Sequence, residues 1–102
     1  MTREEIIEKL RAMEPELRAR GITRLQMFGS RARGDNREDS DLDLLIEVDS
    51  KAKFSLIDLA GVHVDLTEQL GVETYATIDG DEVPSKFRSR ISDDLIQIFE
   101  AA

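Results

Sequence analysis

Hydrophobic positions change their period several times along this chain. Ile6, Leu10, Met13 and Leu17 recur three or four residues apart, the spacing of one helix face. Thr2 followed by Glu5 forms a capping-box pattern, so a helix is predicted to begin near residue 3. Pro15 should break or restart that helix, and Gly21 is a natural stop. From Ile22 to Phe28 the period shortens, with Leu25 and Met27 on one side of a predicted short strand. Gly29-Ser30 follows directly, and Ser30 is expected to cap a short helix running through Arg33. The polar run GDNREDS, residues 34–40, reads as a loop.

The clearest strand is DLDLLIEV, residues 41–48, where Leu42, Leu44, Ile46 and Val48 alternate onto one face. Helical spacing returns from Phe54 to Leu70, through Leu56, Leu59, His63 and Leu66, and Gly71 closes the segment. Residues 72–78 form a third predicted strand. Pro84 then opens a last predicted helix, with Phe87, Ile91, Leu95, Ile98 and Phe99 as its apolar stripe. No internal repeat or low-complexity segment interrupts the pattern. The element order points to an α/β (α+β) fold, a short mixed sheet flanked by helices, in one domain over residues 1–102.

Composition narrows the chemistry. At 102 residues, two domains would each be too small for a core, and 40% apolar with 35% charged residues fits a compact chain. Only 5% are aromatic, so the core must be mainly aliphatic. With no Cys there are no disulfides or thiolate metal sites, and a single histidine, His63, argues against zinc. The charged start MTREEIIEKL contains no apolar run like a signal peptide or membrane span, so a cytoplasmic protein without membrane contact is expected. Fourteen Lys and Arg against 22 Asp and Glu leave a net charge of −8, which disfavours strong nucleic-acid binding. That charge is compatible with a nucleotide whose phosphates arrive with Mg²⁺.

Two short features carry candidate chemistry. Asp41 and Asp43 fall on the same side of their strand, opposite the apolar row that starts at Leu42. Two adjacent carboxylates repel unless a cation lies between them, and Mg²⁺ takes a few carboxylates together with nucleotide phosphates. The alternative is a wet strand face with no ligand. Gly29 allows a phosphate to approach the backbone, and the helix start after it offers amides, a positive dipole end and the Ser30 hydroxyl. Gly-Ser before a helix is equally compatible with a turn and a cap. Arg31 and Arg33 are candidates for phosphate contact, or solvated charges on a short helix.

Taken together, Gly29-Ser30, ten residues, and Asp41-x-Asp43 form one ordered pattern, GSRARGDNREDSDLD. Here the sequence resembles the minimal nucleotidyltransferases of the DNA polymerase β superfamily, whose signature is GS, ten residues and DxD. LQMFGSRARGD and SDLDLLIEV resemble that family's central hairpin, FSLIDLAGVHVDLTEQLG its middle helix and RSRISDDLIQIF its last, so the likeness covers nearly the whole chain.

The resemblance implies a small polymerase-β-like nucleotidyltransferase fold and transfer of a nucleoside monophosphate, AMP foremost, from an NTP such as ATP to a hydroxyl. Asp41 and Asp43 would hold one or two Mg²⁺ ions and act as the catalytic carboxylates, while Gly29, Ser30 and Arg31 would bind the nucleotide. Short members of the family resemble antitoxins of HEPN/minimal-nucleotidyltransferase pairs, which implies a HEPN-type toxin as partner and a tyrosine as acceptor. The family also places a third carboxylate on a later strand. Asp65 fits that place if Val64-Asp65-Leu66 is a strand, but His63 to Leu70 fits better as the end of a helix. Counting onward from Gly71, the acidic place falls on Tyr75 or Ala76, with Glu73 available in a shifted register and Asp79 beside a turn. A chain lacking the third acid would bind nucleotide or toxin with little or no transfer. Self-association also stays open, because the outer helices can pack on the sheet or on a partner.

Overall fold

In the computed structural model, which describes residues 1–80 and 83–100, Thr2 caps the first helix through the expected reciprocal pair. Its hydroxyl accepts from the Glu5 amide at 3.1 Å, and the Thr2 amide donates to the Glu5 carboxylate at 3.3 Å. Helix α1 spans Arg3–Ala12 and α2 spans Glu14–Ala19, with Pro15 in the first turn of α2, where a missing N–H does no harm. The remaining elements are β1 (Ile22–Phe28), α3 (Ser30–Arg33), β2 (Leu42–Val48), α4 (Leu56–Leu70), β3 (Thr74–Ile78), α5 (Ser85–Ile91) and β4 (Ile96–Glu100).

Four strands form one mixed sheet in the order β3-β2-β1-β4 among the described residues. β1 runs antiparallel to both β2 and β4, whereas β2 and β3 are parallel. A parallel pair needs a crossover, and α4 supplies it. Ser55 caps α4 from its side chain and Gly71 ends it in the left-handed conformation, φ 71°. The helix therefore begins one to two residues later than the apolar spacing alone suggests.

The two sheet faces differ. Leu25, Met27, Leu42, Leu44, Ile46 and Ala76 pack against Ile6 and Leu10 of α1, Leu17 of α2, and Val62, Leu66 and Leu70 of α4. On the other face a smaller cluster joins Phe28, Leu45 and Ile91 with Phe87 and Leu95, and the Phe28 and Phe87 rings meet edge to face at 5.6 Å. Since Leu45 and Phe28 share that face with Asp43, α5 covers one part of it and leaves the acidic end open.

The C-terminal prediction needs correction. The last helix stops at Ile91, and residues 96–100 are a strand. The five apolar residues that looked like one helical stripe divide between the two faces: Phe87, Ile91 and Leu95 join the smaller cluster, while Ile98 and Phe99 enter the main core. A register shift opposite Leu25 and Gln26 lets Ile98 and Phe99 both be buried although they are neighbours in a strand. Burying two such side chains is worth roughly 2 kcal/mol each. Arg11 and Arg18 fasten the strand from outside by donating to the Gln97, Ile98 and Glu100 carbonyls. No helix among the described residues is long and apolar enough to cross a membrane.

Candidate active site

β1 ends at Phe28, which pairs with Asp43 of β2, so the turn that follows β1 stands beside that carboxylate. Gly29 occupies φ 80°, ψ −162°, a conformation nearly reserved for glycine. A Cβ built there would lie 2.6 Å from Oδ2 of Asp43. The backbone angle thus calls for glycine, and a side chain there would also push the Asp43 carboxylate aside. Gly29 also serves as N-cap of α3, and no side chain caps that helix; Ser30 is its first residue rather than its cap. The first amides of a helix have no partners within it, so those of α3 start beside Asp43.

Asp41 sits just ahead of β2 and is exposed; Asp43 is half-buried on the strand. Burial pushes the Asp43 carboxyl above its ordinary range, the Asp41 charge raises it further, and the Arg33 guanidinium opposes both. Arg33 is itself paired with Asp35 at 3.1 Å and Asp94 at 2.9 Å, so only part of its charge is directed at the acids. Two carboxylates whose mutual repulsion is only partly relieved by Arg33 suit a divalent cation. Among the described residues no group of three or more His, Cys, Asp or Glu side chains is placed to enclose a metal. Mg²⁺ fits this donor set, because it uses one or two carboxylates and completes its shell with water and nucleotide phosphates.

Arg31 has a different position from the one expected. It is 4% exposed, and its guanidinium donates to the Ser40 carbonyl at 2.9 Å and to the Glu38 carbonyl at 3.1 Å. It ties the 34–40 loop to α3 and so sets where Asp41 enters the sheet. The loop carbonyls, not a phosphate, engage these two donors. The sequence signal for this was weak, since an arginine on a four-residue helix gives no hint of burial.

The candidates for a third acid fall in different places. Asp65 lies on α4 and pairs with Arg20, away from the open sheet face. Asp79 follows β3, where its amide donates to the Ile46 carbonyl at 2.7 Å and its carboxylate meets Arg88 at 2.5 Å. Glu73 precedes β3, and its carbonyl accepts from the Leu42 amide at 2.8 Å, which sets it beside the start of β2. The register partner of Asp43 on β3 is Tyr75. Its ring packs edge-on against His63 at 5.9 Å, and His63 Nε2 sits against the Ala76 amide (2.8 Å) and carbonyl (3.0 Å) on the free edge of β3. Charge on Glu73, and then on Asp41, lifts the Tyr75 phenol above its ordinary value.

The first two strands of this mixed sheet set the Gly29-Ser30 turn against Asp43, with Asp41 just ahead of the same strand. The chain belongs to the nucleotidyltransferase domain family, whose model matches residues 3–99. Among its relatives, the protein adenylyltransferase MntA of Thermococcus cleftensis is 41% identical over 75 residues, covering 65% of this chain and 76% of that protein. A Methanocaldococcus jannaschii protein, provisionally named a protein adenylyltransferase, is 40% identical over 77 residues, covering 72% of this chain and 81% of its own. A solved structure provisionally described as a minimal nucleotidyltransferase superposes with a TM-score of 0.72 at 31% identity, over 94% of this chain and 95% of that one. A toxin–antitoxin crystal structure with AMP-PNP matches at the same TM-score, over 91% of this chain and 73% of that one. At 14% identity it shows a shared fold alone.

Proposed function

We propose that this protein transfers AMP from ATP to a hydroxyl on a partner protein, a tyrosine of a HEPN-type toxin, and so acts as an antitoxin. The observation that carries the reading is the close approach of Gly29 to Asp43, which sets the turn read as taking the phosphates against one member of the acidic pair. The adenylyltransferase names of the two relatives at 40% and 41% identity support AMP as the transferred group. Asp41 and Asp43 would hold one or two Mg²⁺ ions, whose charge would offset that of the triphosphate and favour departure of pyrophosphate. Gly29, the α3 amides and the Ser30 hydroxyl would receive the phosphates. Arg31 acts one step back, by fixing the loop that delivers Asp41. The open end of the sheet leaves room for a protein acceptor.

The test is incubation with Mg²⁺, labelled ATP and the protein encoded beside this one. A mass gain of one AMP on that protein, lost with Asp41→Asn and Asp43→Asn, is expected. A second reading, neutralisation by contact alone, is favoured by the residues of β3 in register with Asp43 and Leu44, Tyr75 and Ala76, neither of which is an acid. Tight complex formation that survives both substitutions, with no transfer, would establish it.

A further inference from the structure

Tyr75 is the only tyrosine of the chain. It is 47% exposed on the free side of the sheet, directly in register with Asp43 on the neighbouring parallel strand. Strands so paired lie about 4.8 Å apart, and side chains in register share a face. The Tyr75 and Asp43 side chains therefore emerge on the same face of the sheet. The Tyr75 ring rests edge-on against His63, which is anchored to the backbone of Ala76. Glu73, two residues earlier, shares its side of the strand and is tied to the start of β2 through the Leu42 amide. The residue standing in register with Asp43 is thus the same kind of nucleophile that the enzyme is read as modifying.

We propose that the protein adenylylates its own Tyr75, in cis, at the Asp41/Asp43 site. The inference rests on the AMP-transfer reading above. In the step, the Tyr75 oxygen forms a bond to the α-phosphorus of ATP as the bond from that phosphorus to the β-bridging oxygen breaks. Pyrophosphate leaves with the electron pair, and the phenolic proton passes to a nearby carboxylate, Glu73 being the closest in sequence on that face, and then to water. The product is a phosphodiester between Tyr75 and AMP, with the nucleotide left over the acidic pair. Modification would stop at one AMP per chain and would occupy the site that a second ATP needs.

The full chain incubated with Mg²⁺ and ATP tests this by intact mass and peptide mapping. One AMP on Tyr75 is expected, absent in Tyr75→Phe and in Asp43→Asn. Tyr75 is half exposed, so its phenylalanine variant should fold. Since no other tyrosine or any tryptophan is present, the phenolate band in an alkaline titration should disappear in proportion to the label. A readout free of transfer uses α,β-methylene-ATP with Mg²⁺: tyrosine fluorescence should change in the unmodified chain and not in Asp43→Asn. Label on another residue overturns the proposal. So does label that reaches an Asp43→Asn chain from an active one, which excludes the cis geometry. If the neighbouring-gene protein is labelled while Tyr75 is not, self-modification is wrong and the functional reading stands. No transfer to either, despite the fluorescence change, would sink both.

Discussion

Gly29 and Asp43 are locked together: no side chain fits at position 29 while Oδ2 of Asp43 stays where it is, 2.6 Å from the place of a Cβ. Such a contact real Cβ atoms do not make, and the backbone angle at Gly29 adds strain of about 1–3 kcal/mol for any other residue. Gly29→Ala should lower the melting temperature and remove the ATP–Mg²⁺ stabilisation of the fold, because the carboxylate must move to admit the methyl. Thermal melts with and without ATP and Mg²⁺ check both. Unchanged nucleotide stabilisation would separate the turn from the site.

The acidic pair should behave in opposite ways with and without ligand. Asp43 sits above its ordinary pKa, from burial first and Asp41 second. The folded state therefore holds the Asp43 proton more tightly than the unfolded one, and its charged form opposes folding. That opposition is present above the folded pKa and fades as pH falls through it. Asp43→Asn should leave the ligand-free protein at least as stable as wild type near neutral pH. The same change should weaken ATP binding in Mg²⁺ by about tenfold or more, equivalent to ~1.4 kcal/mol. Calorimetric titration and melting curves report the two effects separately.

Affinity for ATP with Mg²⁺ should fall as pH drops into the range where Asp43 takes up its proton, since a protonated carboxyl is a poor Mg²⁺ ligand. The fall should begin at a higher pH than an ordinary aspartate would give. Binding measured across acid pH, compared with Asp43→Asn, checks this: the variant should show little of the slope.

Arg31→Ala should act on stability and on the loop more than on phosphate. It removes the guanidinium donor from the Ser40 and Glu38 carbonyls, two part-buried bonds to a charged group, a loss of roughly 1.5–3 kcal/mol. Arg31→Lys should recover little, since an ammonium cannot serve two fixed carbonyls as a guanidinium does. Protease cleavage within residues 34–41 should rise in both variants. If Arg31→Ala abolished ATP binding with the loop still protected, direct phosphate contact would be the better account.

Phe99→Ala should cost about 3–4 kcal/mol, as expected when a ring that is 5% exposed is removed from the core. Backbone amide exchange offers a companion measurement, because strand pairing protects the segment in the pattern of the β1–β4 register rather than that of a helix.

Much of this was legible from sequence for physical reasons that can be stated. The alternation from Leu42 to Val48 marked both the strand and the side on which Asp43 stands, because a strand leaves no choice of face. Thr2 with Glu5, Pro15 and Gly71 marked helix ends through their own backbone chemistry. The final segment was misread because Phe87, Ile91, Leu95, Ile98 and Phe99 fit a helical period by coincidence. Only the tertiary structure reveals that two of them pack on one side of the sheet and three on the other. Ser92-Asp93-Asp94 and the alternation of Ile96, Gln97 and Ile98 were the available hints. The burial of Arg31 and the register of Tyr75 with Asp43 depend on loop path and strand pairing, which periodicity does not encode.

Because β4 pairs with β1 from far along the chain, the hairpin that presents Gly29 and Asp43 has an open flank until residues 96–100 join it. During folding, the Leu25 and Met27 side of the sheet must wait for Ile98 and Phe99 before its core closes. Closure of the sheet that frames the acidic pair is then governed by a pairing of high sequence separation, the kind that is slowest to form.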